Sequence, residues 1–217
     1  MKKGSKLLAI LLTLVLVLSV CGCGGSDESG KQLIGTWALE YDLADLLAGE
    51  MEGFEDFSTP LVMTICFEFT EDGKFTMFGE EESFKANFDT WVDEFVTFGT
   101  DMMYQEFENS YNLTKEEADT QFMEQNGSSI SDYLRDTFLA EVDVDALLQD
   151  MTITGTYETS GNKLYMAQDG ESIDKNAYDV FTIDGSNLKL ELPSGVDASE
   201  GEILPGLSYP LEFTKKN

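Results

Sequence analysis

The residues that most constrain the fold run from Leu61 to Phe69, where large apolar side chains occupy every second position. A period of two is the spacing of a β-strand with one buried face, because successive side chains point to opposite sides of the strand. Residues 70–73, Thr-Glu-Asp-Gly, have the composition of a turn, and a second strand-like run follows as far as Gly79. These residues predict a pair of antiparallel strands.

Strand-like runs also lie near both ends of the chain. One covers residues 34–40, and the others follow residue 150, separated mostly by short turns rich in Gly, Asp, Asn and Ser. The later runs cover residues 152–159, 163–167, 178–183, 188–192 and 209–214. About eight short antiparallel strands favour an up-and-down barrel, because closure removes the exposed edges of a sheet. The expected fold class is mainly β, with helices between strands 3 and 4 (α+β).

The pattern between residues 83 and 150 is that of helices. Aromatic side chains recur there at steps of four, three, four and three residues, which places them on one helix face. They are Phe84, Phe88, Trp91, Phe95 and Phe98. Thr114 and Glu117 have the form of a capping box, Gly127 is a stop signal, and Asp143 is a further cap. Residues 83–150 therefore predict an insertion of about three to five helices.

The aromatic face of the first helix in this insertion has two interpretations. An amphipathic helix must bury one face, which favours core packing. Aromatic and methionine-rich surfaces also line apolar pockets, so the same five aromatic residues are our candidates for ligand binding.

A basic segment and then an apolar segment open the chain. The first six residues include three lysines, and the uncharged run over residues 7–20 is shorter than the roughly 20 residues that span a bilayer. The run ends at Cys21-Gly22-Cys23. Together these features resemble the cleaved signal peptides of bacterial lipoproteins, in which a lipid is attached to the cysteine that becomes the new N-terminus.

This resemblance implies a signal peptide over residues 1–22 and lipid attachment at Cys23, with Gly22 as the small residue before the cleavage. Cys21, which follows a bulky valine, is the alternative. Residues 23–32 are small and polar and predict a flexible tether. The protein would then be exported and lipid-anchored to the extracytoplasmic face of the cell membrane, with Cys66 as its remaining thiol, which we expect to be buried.

The composition excludes several classes of partner and chemistry. The chain has 42 acidic and 13 basic side chains, a formal net charge of −29, and no histidine. A negative field of this size repels phosphates, so nucleic acid is not expected as a partner. Without histidine, the chain cannot form Ser-His-Asp or Cys-His catalytic groups or a histidine-ligated metal site. We therefore expect no cofactor, no metal and no enzymatic activity, and a carboxylate-dependent hydrolase is the remaining enzymatic alternative.

The motif Gly35-Thr36-Trp37 in the first predicted strand resembles the Gly-X-Trp strand of lipocalin-like domains. The similarity continues at residues 67–75, in Gly155-Thr156-Tyr157, and at residues 211–215. The resemblance implies a lipocalin-like domain over residues 33–217 that contains the helical insertion. It also implies that Trp37 is a structural residue that closes one end of the barrel, with Lys215 or Lys216 covering its ring.

These features together predict a membrane-anchored, extracytoplasmic lipoprotein that acts as a non-enzymatic binding module for an apolar small molecule or peptide. The alternative is an envelope-structural or protein-interaction lipoprotein with a filled barrel and no ligand. In that alternative, the acidic face of the helices would contact a basic protein partner.

Overall fold

The computed structural model describes residues 28–44, 54, 56–193, 202–204 and 207–216. The predicted signal peptide and both candidate lipidation sites, Cys21 and Cys23, lie outside these residues. The chain divides into two compact units. Of the described residues, the barrel unit contains 28–41, 64–80, 147–193, 202–204 and 207–216, and the helical unit contains 42–44, 54, 56–63 and 81–146.

The barrel is a closed sheet of eight antiparallel strands. In chain order they are β1 (Gly35–Asp42), β2 (Val62–Phe69), β3 (Lys74–Gly79), β4 (Ile153–Ser160), β5 (Lys163–Gln168), β6 (Asp179–Asp184), β7 (Asn187–Glu191) and β10 (Leu211–Lys215). A separate hairpin, which the sequence pattern did not predict, pairs β8 (Glu202–Leu204) with β9 (Leu207–Ser208). Around the barrel the order is β1-β10-β7-β6-β5-β4-β3-β2, so the predicted antiparallel barrel is confirmed.

Aromatic side chains fill the interior of the barrel where β2 and β3 pair. The register aligns Phe67 with Met77 and Phe69 with Phe75, which places all four side chains on the inner face, and all four are buried. From β10, Phe213 packs edge-on against Phe67, with 5.5 Å between the ring centroids. The period-two run that predicted β2 therefore supplies the packed wall of the core.

Gly155 on β4 lies directly beside this aromatic core. A Cβ atom at this position would lie 2.7 Å from the ring of Phe75 and 2.1 Å from the carbonyl oxygen of Ala167. Only glycine therefore lets β4 approach its neighbours this closely.

A short helix closes the barrel at the start of β1. Helix α1 (Glu28–Leu33) ends in a buried leucine whose carbonyl oxygen accepts a 2.6 Å hydrogen bond from the indole N–H of Trp37. Trp37 is itself fully buried, and the Nζ of Lys215 lies 4.9 Å from the centre of its ring. Of the two lysines expected to cover this tryptophan, Lys215 does so, whereas Lys216 forms an ion pair with Glu80.

Helix α1 begins within residues 23–32, for which we expect a flexible tether. Residues 28–32 are helical in the structure. The burial of Leu33 and its hydrogen bond to Trp37 explain this order, because they fix the end of the helix against the barrel.

The predicted insertion over residues 83–150 consists of helices α2 (Glu81–Tyr111), α3 (Lys115–Asn126), α4 (Ile130–Glu141) and α5 (Val144–Asp150). The capping box at the start of α3 is present, with Thr114 and Glu117 each bonded to the other's backbone N–H. Gly127 ends α3 with a φ of +81°, and Asp143 accepts a 3.0 Å hydrogen bond from the backbone of Ala146 at the start of α5. All three helix boundaries predicted from caps are therefore confirmed.

Among the described residues, every helix is too short or too polar to span a lipid bilayer.

Candidate functional site

The two ends of the barrel differ in the length of their connections. At the end where Trp37 lies, tight turns at residues 70–73, 161–162 and 185–186 join the strands. At the opposite end, residues 43–61 join β1 to β2, residues 80–152 with the helical insertion join β3 to β4, residues 169–178 join β5 to β6, and the chain enters β10 through Tyr209. We call this second end the mouth, and we define it by four side chains, those of Met166, Gln168, Asp179 and Tyr209.

The strand register places the first three of these side chains on the inner face of the barrel. Met166 is aligned with Tyr157, which packs on Phe69 in the core, and Gln168 follows Met166 on the same face. Asp179 is aligned with the buried Leu164, which lies on this face as well. Met166, Gln168 and Asp179 are only partly buried, whereas Tyr41 and Ile65, which face inward on β1 and β2 at this end, are buried.

The polar centre of the mouth is a hydrogen-bonded pair of one carboxyl and one phenol. The hydroxyl of Tyr209 donates to Oδ1 of Asp179 across 2.9 Å. Burial raises the pKa of the Asp179 carboxyl to about 6, and the hydrogen bond from Tyr209 offsets part of that rise. Burial also raises the pKa of Tyr209, and the charge of Asp179 raises it further, so the phenol remains the donor at neutral pH.

The charge on Asp179 lacks a counter-ion within the described residues. Tyr209 acts on the pKa of this carboxyl, and no basic side chain of the described part of the chain does so. A carboxylate offers about four acceptor positions, of which the phenol occupies one. The ionised form is therefore incompletely compensated, which is costly in a site of low polarity.

The segment that leads into β6 is held on the outer face of β5 and so fixes the position of Asp179. The rings of Tyr165 and Tyr178 lie 5.7 Å apart. The Nζ of Lys163 lies 4.0 Å from the centre of the Tyr178 ring, and that of Lys175 lies 4.6 Å from the centre of the Tyr165 ring. Asp174 is buried and accepts a 2.9 Å hydrogen bond from the backbone N–H two residues further on. These contacts give the long connection a defined shape just before the mouth.

The five candidate ligand-binding residues of the helical insertion lie on the buried face of α2. They are Phe84, Phe88, Trp91, Phe95 and Phe98. The first four are no more than 4% exposed, and Phe138 from α4 packs against three of them at 4.8 to 6.1 Å. The fifth, Phe98, is partly buried and contacts Phe54 and Phe57. These residues form the core of the helical unit, and a role for them in ligand binding stays a prediction.

An open groove with a volume of about 590 Å³ lies in the helical unit. Its lining comes from the first part of α2, the end of α4 and the start of α5, and it includes Leu139, which is 44% exposed. Lys85 at its edge is held by Asp145 at 2.6 Å and by Glu81 at 2.7 Å. Two further acids that line it, Asp89 and Glu141, have no hydrogen-bond or ion-pair partner among the described residues. The groove therefore combines an apolar surface with an acidic rim.

The remaining chemical groups are structural. Cys66 is a free, buried thiol, and burial raises its pKa, so the reactive thiolate is disfavoured. Trp37 is fully buried, and its indole N–H donates a hydrogen bond to the carbonyl oxygen of Leu33. Within the described ranges, no three His, Cys, Asp or Glu side chains come together in a way that could hold a metal ion.

None of the four mouth residues is among the site residues predicted from the sequence. Asp179 points to the same side of β6 as Phe181 and Ile183. Gln168 points to the same side of β5 as Leu164. A polar residue on the apolar side of a strand is the signal that could have identified both. The alternation of side chains identifies only the strand face on which a residue lies. The pairing of Asp179 with Tyr209 depends on a contact between residues that are 30 positions apart in the chain.

Comparison of the chain with protein-family models, curated proteins and solved structures finds no match. The eight-stranded antiparallel barrel is compatible with a lipocalin-like fold. The geometry of the mouth is therefore the basis for proposing which ligand it binds.

The raised pKa of Asp179 predicts how stability depends on pH. The folded protein holds this proton more tightly than the unfolded chain, so ionisation removes stability as the pH rises through about 4 to 6. We expect Asp179→Asn, which keeps an acceptor for Tyr209, to raise the free energy of unfolding by on the order of 1 kcal/mol at pH 7.5. The gain should disappear near pH 4, as measured by urea denaturation.

The matched control for this experiment is Glu212→Gln, which removes one negative charge from the exposed, outward face of β10. A gain in stability for Asp179→Asn that is equal at both pH values, or equal to that of the control, would contradict the assignment of Asp179 as a partly buried acid without a counter-ion.

Proposed function

We propose that this chain is an exported lipoprotein whose lipocalin-like barrel binds a small apolar ligand at its mouth, without catalysing a reaction. The observation that carries the proposal is the change along the inner wall of the barrel. The wall is packed with aromatic side chains near β2 and β3 and becomes partly accessible at Met166, Gln168 and Asp179. An apolar interior with a few polar groups at its rim is the usual form of a small-molecule site.

The closure of the other barrel end supports the lipocalin-like part of this proposal. The packing of Leu33, Trp37 and Lys215 provides the tryptophan, covered by a basic side chain, that the resemblance implies. We expect a ligand to enter at the mouth, which is the end opposite Trp37. Met166 suits such a position, because its flexible thioether adapts to ligands of different shape.

The chemistry of the mouth favours binding over hydrolysis. A carboxylate-dependent glycosidase needs a second carboxyl group at a separation of roughly 5 to 10 Å. The titratable partner of Asp179 is the phenol of Tyr209, which remains protonated and serves to orient the carboxyl group. A carboxyl group held in a fixed orientation is suited to recognising the head group of a ligand.

The proposed location is the extracytoplasmic face of the cell membrane, with the lipid on Cys23. The basic and apolar N-terminal segment and the small residue before Cys23 support this location. A diacylated cysteine would hold the protein stably, because two chains give far firmer membrane attachment than one.

We expect the barrel to bind N-phenyl-1-naphthylamine, a neutral apolar fluorophore, with saturable enhancement of its emission. Met166→Trp should weaken this binding at least about fivefold, because the larger side chain fills the mouth. Met123→Trp is the matched control, since it introduces the same side chain on the exposed surface of α3. Equal effects of the two variants, or no saturable binding to the parent protein, would contradict the proposal.

Lipid attachment is testable in cells fed a radiolabelled fatty acid. We expect Cys23→Ala to abolish labelling and to move the protein from the detergent phase to the aqueous phase in Triton X-114 partitioning. Cys21→Ala should retain the label. The reverse result would make Cys21 the attachment site, and labelling of both variants would show that neither cysteine alone is required.

A second candidate function is docking of a basic protein segment in the groove of the helical unit. The groove offers Leu139 as an exposed apolar contact and Asp89 and Glu141 as carboxylates without partners among the described residues. A segment of alternating lysine and aliphatic residues is complementary to both features. This candidate requires no ligand in the barrel.

A fluorescein-labelled decapeptide of alternating Lys and Leu tests this second function by fluorescence anisotropy. We expect the double variant Asp89→Asn, Glu141→Gln to bind it at least about tenfold more weakly, because two charge pairs are lost. The control pair, Glu116→Gln with Glu124→Gln, removes the same charge from the exposed surface of α3. Equal weakening by both pairs would show attraction to the overall charge and would exclude the groove as a specific site.

A further inference from the structure

We propose that the mouth of the barrel selects a ligand with a cationic head group, an amphiphile that ends in a protonated amine, and that Asp179 is the residue that binds the ammonium. This inference rests on the proposed function, because it names the chemical class of the ligand held at the same site. The apolar part of the ligand would lie against the inner wall, and the amine would occupy the acceptor positions of Asp179 that Tyr209 leaves open.

The position of Asp179 is the first argument. It is the first residue of β6, and its alignment with the buried Leu164 places its carboxyl group on the inner face of this strand, which is otherwise apolar. A carboxyl group on the solvent side of a barrel needs no partner, whereas one on the inner side must be compensated when it is ionised. The hydrogen bond from Tyr209 is one neutral donor and does not supply the missing charge.

The surroundings of the pair supply the second argument. The lysines of the neighbouring segment are engaged on the outer face, where Lys163 and Lys175 stand over tyrosine rings and Lys175 also pairs with Glu158. The raised pKa of Asp179 has burial as its main cause, with no contribution from a cation of the described part of the chain. A positive charge brought by a ligand would therefore be the compensating group, and this contact would be a charge-assisted hydrogen bond.

The charge of the protein decides against the other common head groups. A fatty-acid carboxylate would approach a like charge on Asp179 in a protein of formal net charge −29. An alcohol could donate a hydrogen bond to Asp179, but it would leave the negative charge uncompensated. A primary ammonium has three donors and a positive charge, and it satisfies both needs.

Tyr209 is a positioning residue in this arrangement. Its hydroxyl donates to Oδ1 of Asp179, which restricts rotation of the carboxyl group and leaves the other oxygen available. The expected ligand is thus recognised by charge at one point and by apolar contact along its chain.

Isothermal titration calorimetry with decylamine, decanol and decanoate, each below its micelle concentration, tests the inference on the full folded chain. We expect decylamine to bind at least about tenfold more tightly than decanol, because one charge-assisted hydrogen bond is worth about a factor of ten or more. Decanoate should bind more weakly than decanol. The comparison of three probes on the unmodified protein needs no variant that might fold differently.

Substitutions then test which residue causes the preference for decylamine over decanol. Asp179→Asn should abolish the preference for the amine, so that decylamine and decanol bind this variant with affinities within about twofold of each other. Tyr209→Phe should reduce the preference for the amine by a smaller factor, about threefold, because it removes orientation and keeps the charge. Glu212→Gln, on the outer face of β10, should leave both affinities unchanged.

The outcomes separate this inference from the proposed function. Equal affinities for decanol and decylamine that Asp179→Asn does not alter would overturn the cationic head group while leaving an apolar site in place. Loss of amine binding in Glu212→Gln equal to that in Asp179→Asn would overturn it too, because the overall charge would then explain the preference. Failure of all three probes to bind would overturn the proposed function itself.

Discussion

Closure of the sheet between β1 and β10 is the constraint on which the rest of the barrel depends. Trp37 and Lys215 are aligned across this pair of strands, and the backbone N–H of Lys216 bonds to the carbonyl oxygen of Thr36 beside them. Because the pairing joins the first strand to the last, it removes both edges of the sheet. The buried indole, bonded to Leu33 and covered by the lysine, fills the space that the closed strands leave at this end.

A closed barrel encloses an interior. The side chains that point into it determine whether either end could bind a ligand. Near β2 and β3, the aromatic rings of Phe67, Phe69 and Phe75 occupy the interior and leave it packed. At the mouth, the same inner face presents Asp179 and Gln168 instead. A carboxyl group at such a place destabilises the fold when it is ionised. Destabilising groups of this kind are commonly found at ligand-binding sites. The position of Asp179 therefore supports a ligand site at the mouth, whereas the aromatic residues of α2 form the core of the helical unit.

The strong negative charge of the chain acts on two different scales. Over the surface, it favours cationic partners in general and repels anionic ones. The charge of an individual carboxylate contributes to specific binding only where the structure limits its contact with water or places an apolar surface beside it. Asp179 meets the first condition, and the rim of the groove near Leu139 meets the second. Most of the other acids are exposed and serve solubility.

The sequence by itself determined the local elements of this protein, because their causes are local. The alternation from Leu61 to Phe69 specified a strand, Thr114 with Glu117 specified a helix start, and Gly127 specified a helix end. Strand number and turn composition were enough to predict a barrel, since an antiparallel sheet of this kind removes its edges by closing. Tertiary structure alone decided that Lys215 rather than Lys216 covers Trp37 and that Asp179 meets Tyr209. Those pairings join residues distant in the chain through strand register and burial, and no short-range pattern of residues contains that information.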